Sequence, residues 1–537
     1  MNQDIPSTVA HAFVSSIERF GARAAIIPLQ GPPITYAELG ARVTTAVGVL
    51  RRLGCRAGDR VAIWLPNCPE WVVLQYAAAL LDLCIVPVNA RYRPAEVEGV
   101  LRMTRAKCLF TQEKFLSNNF AERLGEIAGG VIGRGERAEI AGLPDLEQIV
   151  FIDGARLEGT VNYAEASEGN QPEDLGALAE QCSPDDPLWL FWTSGTTSAP
   201  KGAIMLQSSI RNIWNWTTMA GYRPDDRVLM SRPLFYIAGN FWSMLGPMLH
   251  GAATVIAQTF TPEEMVDLCR RQRVTVLSGN PLLLKNLVRD PAFDPQAFEH
   301  VRFGYFGGTS VSFDEFKEIK EKIGFDYLLQ PYGMTELEGF ATSTRPDDPM
   351  EITYRTCGTA LPGLEMRLVD PDTEKPVSCG EVGLLLTRGR GFVGYEAISD
   401  EDHARLFNAD GWFRTGDLLR QRDDGRYEFV GRVKDLIKVG GENVTAGEIE
   451  LILTTHPSIA EVAVVPMTDE RRGEVPVAFV ELRPRQTLSA ADLQVWCRQR
   501  MAPYKIPATL HFVENGQWPM TPSGKIAKHQ LALPQSG

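Results

Sequence analysis

An excess of basic charge, long unbroken apolar runs and paired cysteines are all missing from this sequence. Each absence removes a class of protein. Lys and Arg total 54 against 67 Asp and Glu, for a net charge of −13. A basic footprint for nucleic acid is therefore lacking, and any anion site has to be built locally against the overall field. The most apolar long stretch, Trp71 to Val88, is interrupted by Gln75, Asp82 and Pro87. It reads as buried helix and strand and not as a transmembrane segment, with a peripheral membrane contact left open. The opening MNQDIPSTVA has no basic segment ahead of an apolar core and does not read as a signal peptide. Nine cysteines are scattered without a CxxC pair or a Cys/His cluster. That argues against zinc and disulfide frameworks and for reduced thiols in a cytoplasmic protein.

Histidine is also scarce. The seven residues His11, His250, His300, His403, His456, His511 and His529 fall in none of the motifs below, so they read as structural or surface residues. What remains is ordinary globular composition, 44% hydrophobic and 23% charged, in a chain of 537 residues, long enough for more than one domain.

From Asp186 to Gly308 short apolar runs (Leu188–Trp192, Ala253–Ala257, Val274–Leu277, Val301–Phe306) alternate with helix-like stretches such as Pro262–Gln272. This is the pattern of a layered α/β fold, and Val61–Leu65, Glu70–Leu81 and Cys84–Val88 repeat it earlier in the chain. Between Gly380 and Arg432 the reading changes to short strands and turns, at Val382–Thr387, Trp412–Arg414 and Tyr427–Val430. Beyond Arg432 lies a smaller α/β unit. Its helices are expected near Gly447–Thr455 and Ala490–Met501, and its strands near Glu461–Val465, Val477–Leu482 and Leu510–Val513. A domain boundary close to Gly431 follows from this change of pattern.

The sharpest local feature is Thr193-Ser194-Gly195-Thr196-Thr197-Ser198-Ala199-Pro200-Lys201-Gly202, directly after the apolar run Leu188–Trp192. Hydroxyls, glycines and a lysine behind a strand make a phosphate cradle, although the spacing is not that of a Walker loop. The same composition also fits a surface turn. Further along stand Gly307-Gly308-Thr309, Tyr332-Gly333-Met334-Thr335-Glu336, Trp412-Phe413-Arg414-Thr415-Gly416-Asp417, Gly431-Arg432-Val433-Lys434-Asp435 and Pro522-Ser523-Gly524-Lys525.

In this order, across more than half of the chain, the six segments resemble the signatures of the adenylate-forming superfamily. That superfamily includes acyl-CoA synthetases, luciferases and peptide-synthetase adenylation domains. The resemblance implies an α/β fold: a large N-terminal domain, residues 1–431, of layered α/β subdomains plus a distorted β-barrel-like part. A small mobile α+β C-terminal domain, residues 432–537, follows a hinge at Lys434. It implies an acid–CoA ligase using ATP, Mg2+ and coenzyme A.

The resemblance also assigns roles. Thr193, Ser194, Gly195, Thr196, Thr197 and Lys201 would surround the phosphates. Gly307, Gly308, Thr309, Tyr332, Gly333 and Met334 would surround the base, with Thr335 near the α-phosphate. Glu336, a hard oxygen donor, would hold magnesium. Asp417 and Arg432 would meet the ribose, and Lys525 would reach the reacting phosphorus. Lys438, Gly440 and Gly441 would enter with the C-terminal domain in the thiol step. A homodimer is common in such enzymes. Pro331, Tyr236 and Ser208 depart from the family's usual residues, a small residue at the first position and histidines at the other two.

The acid pocket is expected near Ser231–Trp242 and near Gly307–Ser310 and Gly333-Met334, with Tyr236, Asn240 and Trp242 as lining residues. No acidic residue stands in this segment to meet an amino acid's ammonium, so an amino-acid substrate is disfavoured. Its aromatic and aliphatic character favours an apolar acid, a medium- or long-chain fatty acid first. Aryl, alicyclic and carnitine-like acids stay open, as does a carrier protein in place of free CoA. For Tyr236, Asn240 and Trp242, core packing is an equal alternative.

Overall fold

A computed structural model of the chain describes residues 5–193, 201–279, 281–307, 311–389, 391–396, 398–439, 442–469, 471–514, 516–520 and 526–531. Two largely parallel sheets organise its first two thirds. In spatial order the first contains Tyr327–Leu329, Phe303–Phe306, Val276–Gly279, Arg227–Met230, Ala253–Ile256, Ala24–Ile27 and Ile34–Thr35. All neighbours are parallel except the last pair. Strands such as ATVI and FGYF are buried along their whole length, as a parallel sheet covered on both faces requires.

The second sheet runs Val161–Asn162, Gln148–Phe151, Cys108–Thr111, Arg60–Ile63, Cys84–Pro87, Pro187–Thr193, Lys201–Leu206 and Phe392–Tyr395. Here the structure regroups what the sequence pattern had joined. Pro187–Thr193 reads as the start of the Asp186–Gly308 unit, yet it pairs with Cys84–Pro87 in the sheet of the earlier segments. Its Trp189 is wholly buried there, and the indole N–H donates to Gln75 Oε1 at 2.9 Å. Burying that ring with its polar atom satisfied favours this sheet.

The layers follow from which faces are apolar. Helices Val9–Phe20, Tyr36–Arg52, Pro69–Leu80 and Ile210–Ala220 share one core between the two sheets, with Trp71, Trp189, Trp216 and Trp242 inside it. Pro262–Gln272, Pro281–Arg289 and Phe313–Ile323 cover the outer face of the first sheet. Pro94–Thr104 and Phe120–Ile127 cover that of the second. Local chemistry sets the helix starts. Thr261 accepts from the Glu264 N–H with Pro262 in the first turn, and Ser312 and Glu315 form a reciprocal cap.

The barrel-like part consists of two antiparallel sheets around one core. One is Pro331–Tyr332, Thr342–Ser343 and Thr359–Ala360; the other is Leu364–Val369, Val382–Gly389, Phe413–Gln421 and Tyr427–Arg432. The last sheet holds Glu442–Thr445, Leu436–Val439, Gly473–Leu482 and Ile459–Asp469, with Thr509–Val513 added parallel to Gly473–Leu482. Helices Ala446–Leu453 and Ala490–Arg498 complete its separate core.

Candidate active site

The strands Pro187–Thr193 and Lys201–Leu206 form an antiparallel pair in which Thr193 faces Lys201. The hydroxyl- and glycine-rich segment lies between these two strands in the sequence. Ser194, Gly195, Thr196 and Thr197 themselves lie outside the described residues, as do Gly308, Thr309, Gly440, Gly441 and Lys525. On its other edge Lys201–Leu206 pairs with Phe392–Tyr395, Ala203 opposite Tyr395. This register puts the Lys201 ammonium 5.6 Å from the Tyr395 ring centre.

Tyr395 ties the Lys201–Leu206 strand to Glu336. Its phenol donates to Glu336 Oε1. Glu336 sits in the single 3-10 turn Thr335–Leu337 and is buried, 7% exposed. Burial raises its pKa, which the Tyr395 bond and the charge of Arg432 oppose. Gly333, just before the turn, is a glycine by necessity. A Cβ there would lie 2.0 Å from the Gly339 carbonyl. Met334 and Thr335 are half-buried beside it.

Asp417 forms the second half of the group. Its carboxylate, 2% exposed, accepts from the Tyr332 phenol at 2.7 Å and pairs with Arg432 Nε at 3.0 Å. Asp417 and Arg432 are direct cross-strand neighbours, so the sheet register delivers the ion pair. Thr-Gly-Asp reads as a turn in the sequence; here it lies inside the strand Phe413–Gln421, which carries an irregularity opposite Leu384–Leu386. Gly416 has φ +75° with open space around it, so backbone conformation and not crowding selects glycine. A bulge of this kind re-aims the next side chain, here Asp417. Burial and the Asp417 charge push the Tyr332 phenol well above its ordinary pKa, so it stays a donor. The Tyr332 ring lies 5.9 Å from that of Phe429, which is 48% exposed.

Gly307 closes the carboxyl end of the strand Phe303–Phe306, and the Arg232 guanidinium donates to its carbonyl at 3.5 Å. Lys434 is exposed in the short turn Val433–Asp435, between the strands Tyr427–Arg432 and Leu436–Val439. Lys438 stands apart from the group. Its ammonium is 4.0 Å from Asp372, and its backbone N–H donates to Glu474.

On the acid side the three expected lining residues separate. Tyr236 is half-buried, packs on the edge of Phe235 and accepts from Asn89 Nδ2 at 3.3 Å. Asn240 is wholly buried and occupied in the core, its amide donating to Gln75 Oε1 at 2.6 Å and to the Leu234 carbonyl at 3.4 Å. Trp242 is wholly buried as well, stacked on Phe340 at 4.0 Å and 7° and edge-on to Trp216 at 5.0 Å. Both lie on the π-helix Ala238–Leu245, whose wider turn shifts side-chain directions away from ordinary helical spacing. Tyr395, Phe429 and Arg232 were not singled out from sequence. Only strand register and tertiary contact bring them to the motif residues.

A buried carboxylate flanked by a phenol and a guanidinium can take a sugar's hydroxyls, and a lysine at the start of the neighbouring strand can meet phosphates. Together with the layered fold they define a nucleotide-binding α/β enzyme with a small α+β unit appended. Comparison with known proteins gives the family. Residues 13–395 match the model of the AMP-binding enzyme and residues 448–525 that of the AMP-binding enzyme C-terminal domain, and the chain belongs to this family.

The chain is 30% identical over 538 residues to the mitochondrial medium-chain acyl-CoA ligase ACSF2 of Danio rerio, covering 98% of this chain and 88% of that one. It is 31% identical over 499 residues to a methyl-dioxo-octahydroindenyl-propanoyl:CoA ligase of Mycobacterium tuberculosis, 93% of each chain. The ATP-bound structure of MatB from Rhodopseudomonas palustris matches with a TM-score of 0.81 at 26% identity, over 97% of each chain. The protein is an AMP-forming acid–thiol ligase that works through an acyl-adenylate and uses ATP, Mg2+ and coenzyme A. No helix among the described residues is long and apolar enough to cross a membrane.

Proposed function

We propose that Lys201, Glu336, Asp417 and Arg432 bind Mg-ATP, and that an acid with a medium-length or ring-sized apolar body is activated beside Gly307. The observation that carries this reading is a pair of neighbouring polar groups, Lys201–Tyr395–Glu336 and Tyr332–Asp417–Arg432, near enough that the charges of Arg432 and Asp417 act on Glu336. Thr193 through Thr197 and Lys201 take the phosphates. Gly307, Gly308, Thr309, Tyr332, Gly333 and Met334 take the base, and Asp417 with Arg432 the ribose. Thr335 meets the α-phosphate. Glu336 fits magnesium, which takes one or two carboxylates alongside phosphates. Its burial, answered by one phenol, leaves a hard oxygen donor available, and the metal's chemistry there is neutralisation of phosphate charge.

The substrate carboxylate is ionised at neutral pH, so no general base is required. One of its oxygens attacks the α-phosphorus, and pyrophosphate leaves with the electrons of the broken P–O bond. The Lys525 ammonium offsets the repulsion between carboxylate and phosphate, which is greatest as the new bond forms. Thiolate sulfur then attacks the acyl carbon, and AMP leaves. Residues 1–431 and 432–537 act as two bodies hinged at Lys434. Their rotation replaces Lys525 by the Val439-Gly440-Gly441-Glu442 segment, beside Lys438, whose glycines admit a narrow thiol chain. Lys434→Pro should slow thioester formation more than adenylate formation in single-turnover assays. Equal loss in both half-reactions would rule out the hinge.

The stack of Trp242, Phe340 and Trp216 supports the limit on acid size, because it fills the space beside the Gly333–Gly339 turn with rigid rings. The relatives' medium-chain and ring-bearing acids point the same way. A panel of acids graded by length with Mg-ATP and CoA, scored for AMP, tests it. A maximum at long chains would refute the size limit. All nine cysteines are free thiols, which supports a reducing, cytoplasmic location; fractionation and gel filtration test that placement and the homodimer.

A further inference from the structure

Two thiols outside the proposed site stand in contact. Cys55 Sγ lies 3.3 Å from Cys108 Sγ, although the residues are 53 positions apart in the chain. Backbone structure holds each of them. Cys55 follows the closing turn of the helix Tyr36–Arg52, and its N–H donates to the Leu50 carbonyl at 3.0 Å. Gly54, just before it, has φ +77°, the left-handed conformation in which glycine ends a helix with least strain. Cys108 opens the strand Cys108–Thr111 and is paired with Val61 on one side and Gln148 on the other. Cys55 is 8% exposed and Cys108 wholly buried, so the pair is reached from water only through Cys55.

The surroundings favour negative charge on Cys55. The Lys107 ammonium beside it donates to the Gly54 carbonyl and to Asp59 Oδ2, both at 2.7 Å. The hydrogen bond from the Cys108 thiol, and then the Lys107 charge, hold the Cys55 thiol below its ordinary pKa. They do so against burial and the carboxylates of Asp59 and Glu147. Of the nine cysteines only Cys55 is shifted this way. Burial pushes Cys68, Cys84, Cys182, Cys269, Cys357 and Cys497 up, and a hydrogen bond to Asp423 raises the exposed Cys379. Cys108 is raised by the same bond that lowers Cys55. Thiolate is the reactive form of cysteine, and a second thiol in contact can resolve its oxidised form.

We propose that Cys55 and Cys108 form a redox site for hydrogen peroxide, at which Cys55 reacts first and Cys108 closes an intrachain disulfide. The Cys55 thiolate attacks one peroxide oxygen, the O–O bond breaks, and the departing hydroxide takes a proton to become water. Cys55 is then a sulfenic acid. The Cys108 sulfur attacks the Cys55 sulfur, the S–O bond breaks, and hydroxide leaves with the Cys108 proton as a second water. Two thiols and one peroxide give one disulfide and two waters, the sulfurs losing the two electrons that the O–O bond gains. A dithiol reductant reverses the bond by exchange. Cys108 lies at the amino end of its strand, whereas Thr193 lies at the carboxyl end of Pro187–Thr193, which runs the same way in this sheet. Oxidation therefore ties the helix Tyr36–Arg52 to the sheet at the end away from Thr193 and leaves adenylate formation intact.

The test treats the full-length wild type, and Cys379→Ser to remove the exposed thiol, with hydrogen peroxide. Remaining thiols are alkylated with N-ethylmaleimide under denaturing conditions, and the protein is digested without reductant for mass spectrometry. The expected result is a peptide linked through Cys55 and Cys108, lost on addition of dithiothreitol, with acid-dependent pyrophosphate exchange unchanged. Cys108→Ala should stop at a Cys55 sulfenic acid that dimedone traps, and Cys55→Ala should leave Cys108 unoxidised. Lys107→Met should slow linkage several-fold, because less Cys55 is thiolate. The wild-type measurement alters neither cysteine of the pair, so a misfolded variant cannot decide the outcome. Both thiols fully alkylated after peroxide, or oxidation confined to Cys379, would overturn the site. Exchange activity lost in step with the link and restored by dithiothreitol would overturn its separation from catalysis.

Discussion

The proposed nucleotide side and the proposed acid side of this enzyme are built on different principles. On the nucleotide side, polar groups from five chain segments meet: Lys201 and Tyr395 across one sheet, Asp417 and Arg432 across another, with Glu336 bonded to Tyr395 and Tyr332 to Asp417. Charge and hydrogen bonding define that half, and every group answers another. On the proposed acid side, Trp242, Phe340, Trp216 and Tyr305 pack edge and face with ring separations of 4.0 to 6.0 Å. The contrast teaches that adenylate formation calls for fixed charges, whereas the proposed choice of acid rests on packed volume.

Substitutions on the two sides should therefore fail in different ways. The largest effect is expected from Trp242→Ala. Removing a fully buried, stacked indole should cost ~3–5 kcal/mol of stability in chemical denaturation and, in surviving protein, shift the preferred acid to a longer one. Loss of stability without change in acid preference would make Trp242 core alone. Lys525→Ala should lower adenylate formation ~10²–10³-fold, measured by acid-dependent pyrophosphate exchange, while leaving acid preference as it was. Asp417→Asn removes the charge facing Arg432 and should raise the KM for ATP about tenfold or more, the range for a hydrogen bond to a charged group. Its effect should be the same with every acid.

The smallest effect concerns pH, and the two sides titrate oppositely. His250, stacked on Trp214 at 5.1 Å beside the aromatic group, is held neutral by burial, its pKa lowered from 6.5 to about 4. A depressed folded pKa means that its contribution is present above 6.5 and is lost as pH falls toward 4. Thermal unfolding should show this loss, and His250→Asn should flatten it. Glu336 is shifted upward by burial. Its neutral form is favoured in the ligand-free fold, so acidification through its raised pKa should weaken magnesium-dependent ATP binding, with the ligand-free fold not destabilised by that group.

The proposed nucleotide side could be read from short contiguous motifs, and the strands and helices around them follow period and cap signals. Pro262–Gln272 forms the helix its spacing predicts, and Ser312-to-Glu315 shows its cap in the sequence itself. Contacts between distant segments were not legible. Tyr395 reaches Glu336 only because Phe392–Tyr395 adds to the Lys201–Leu206 strand, and nothing local marks it. Asp417 reads as part of a turn because Thr-Gly-Asp has turn chemistry, while the sheet absorbs that glycine as a bulge. Which way Asn240 and Trp242 face was not legible for a further reason. Ala238–Leu245 winds as a π-helix, so spacing along the chain no longer states which way a side chain faces.

The central claim is that one cleft joins an acid to the α-phosphorus of ATP. The most direct measurement follows the products of ATP labelled at the α- and γ-phosphates when the enzyme is given Mg2+, CoA and the acid panel. The account predicts label recovered as AMP and pyrophosphate, dependent on acid. Recovery as ADP and inorganic phosphate, or turnover indifferent to acid, would contradict it.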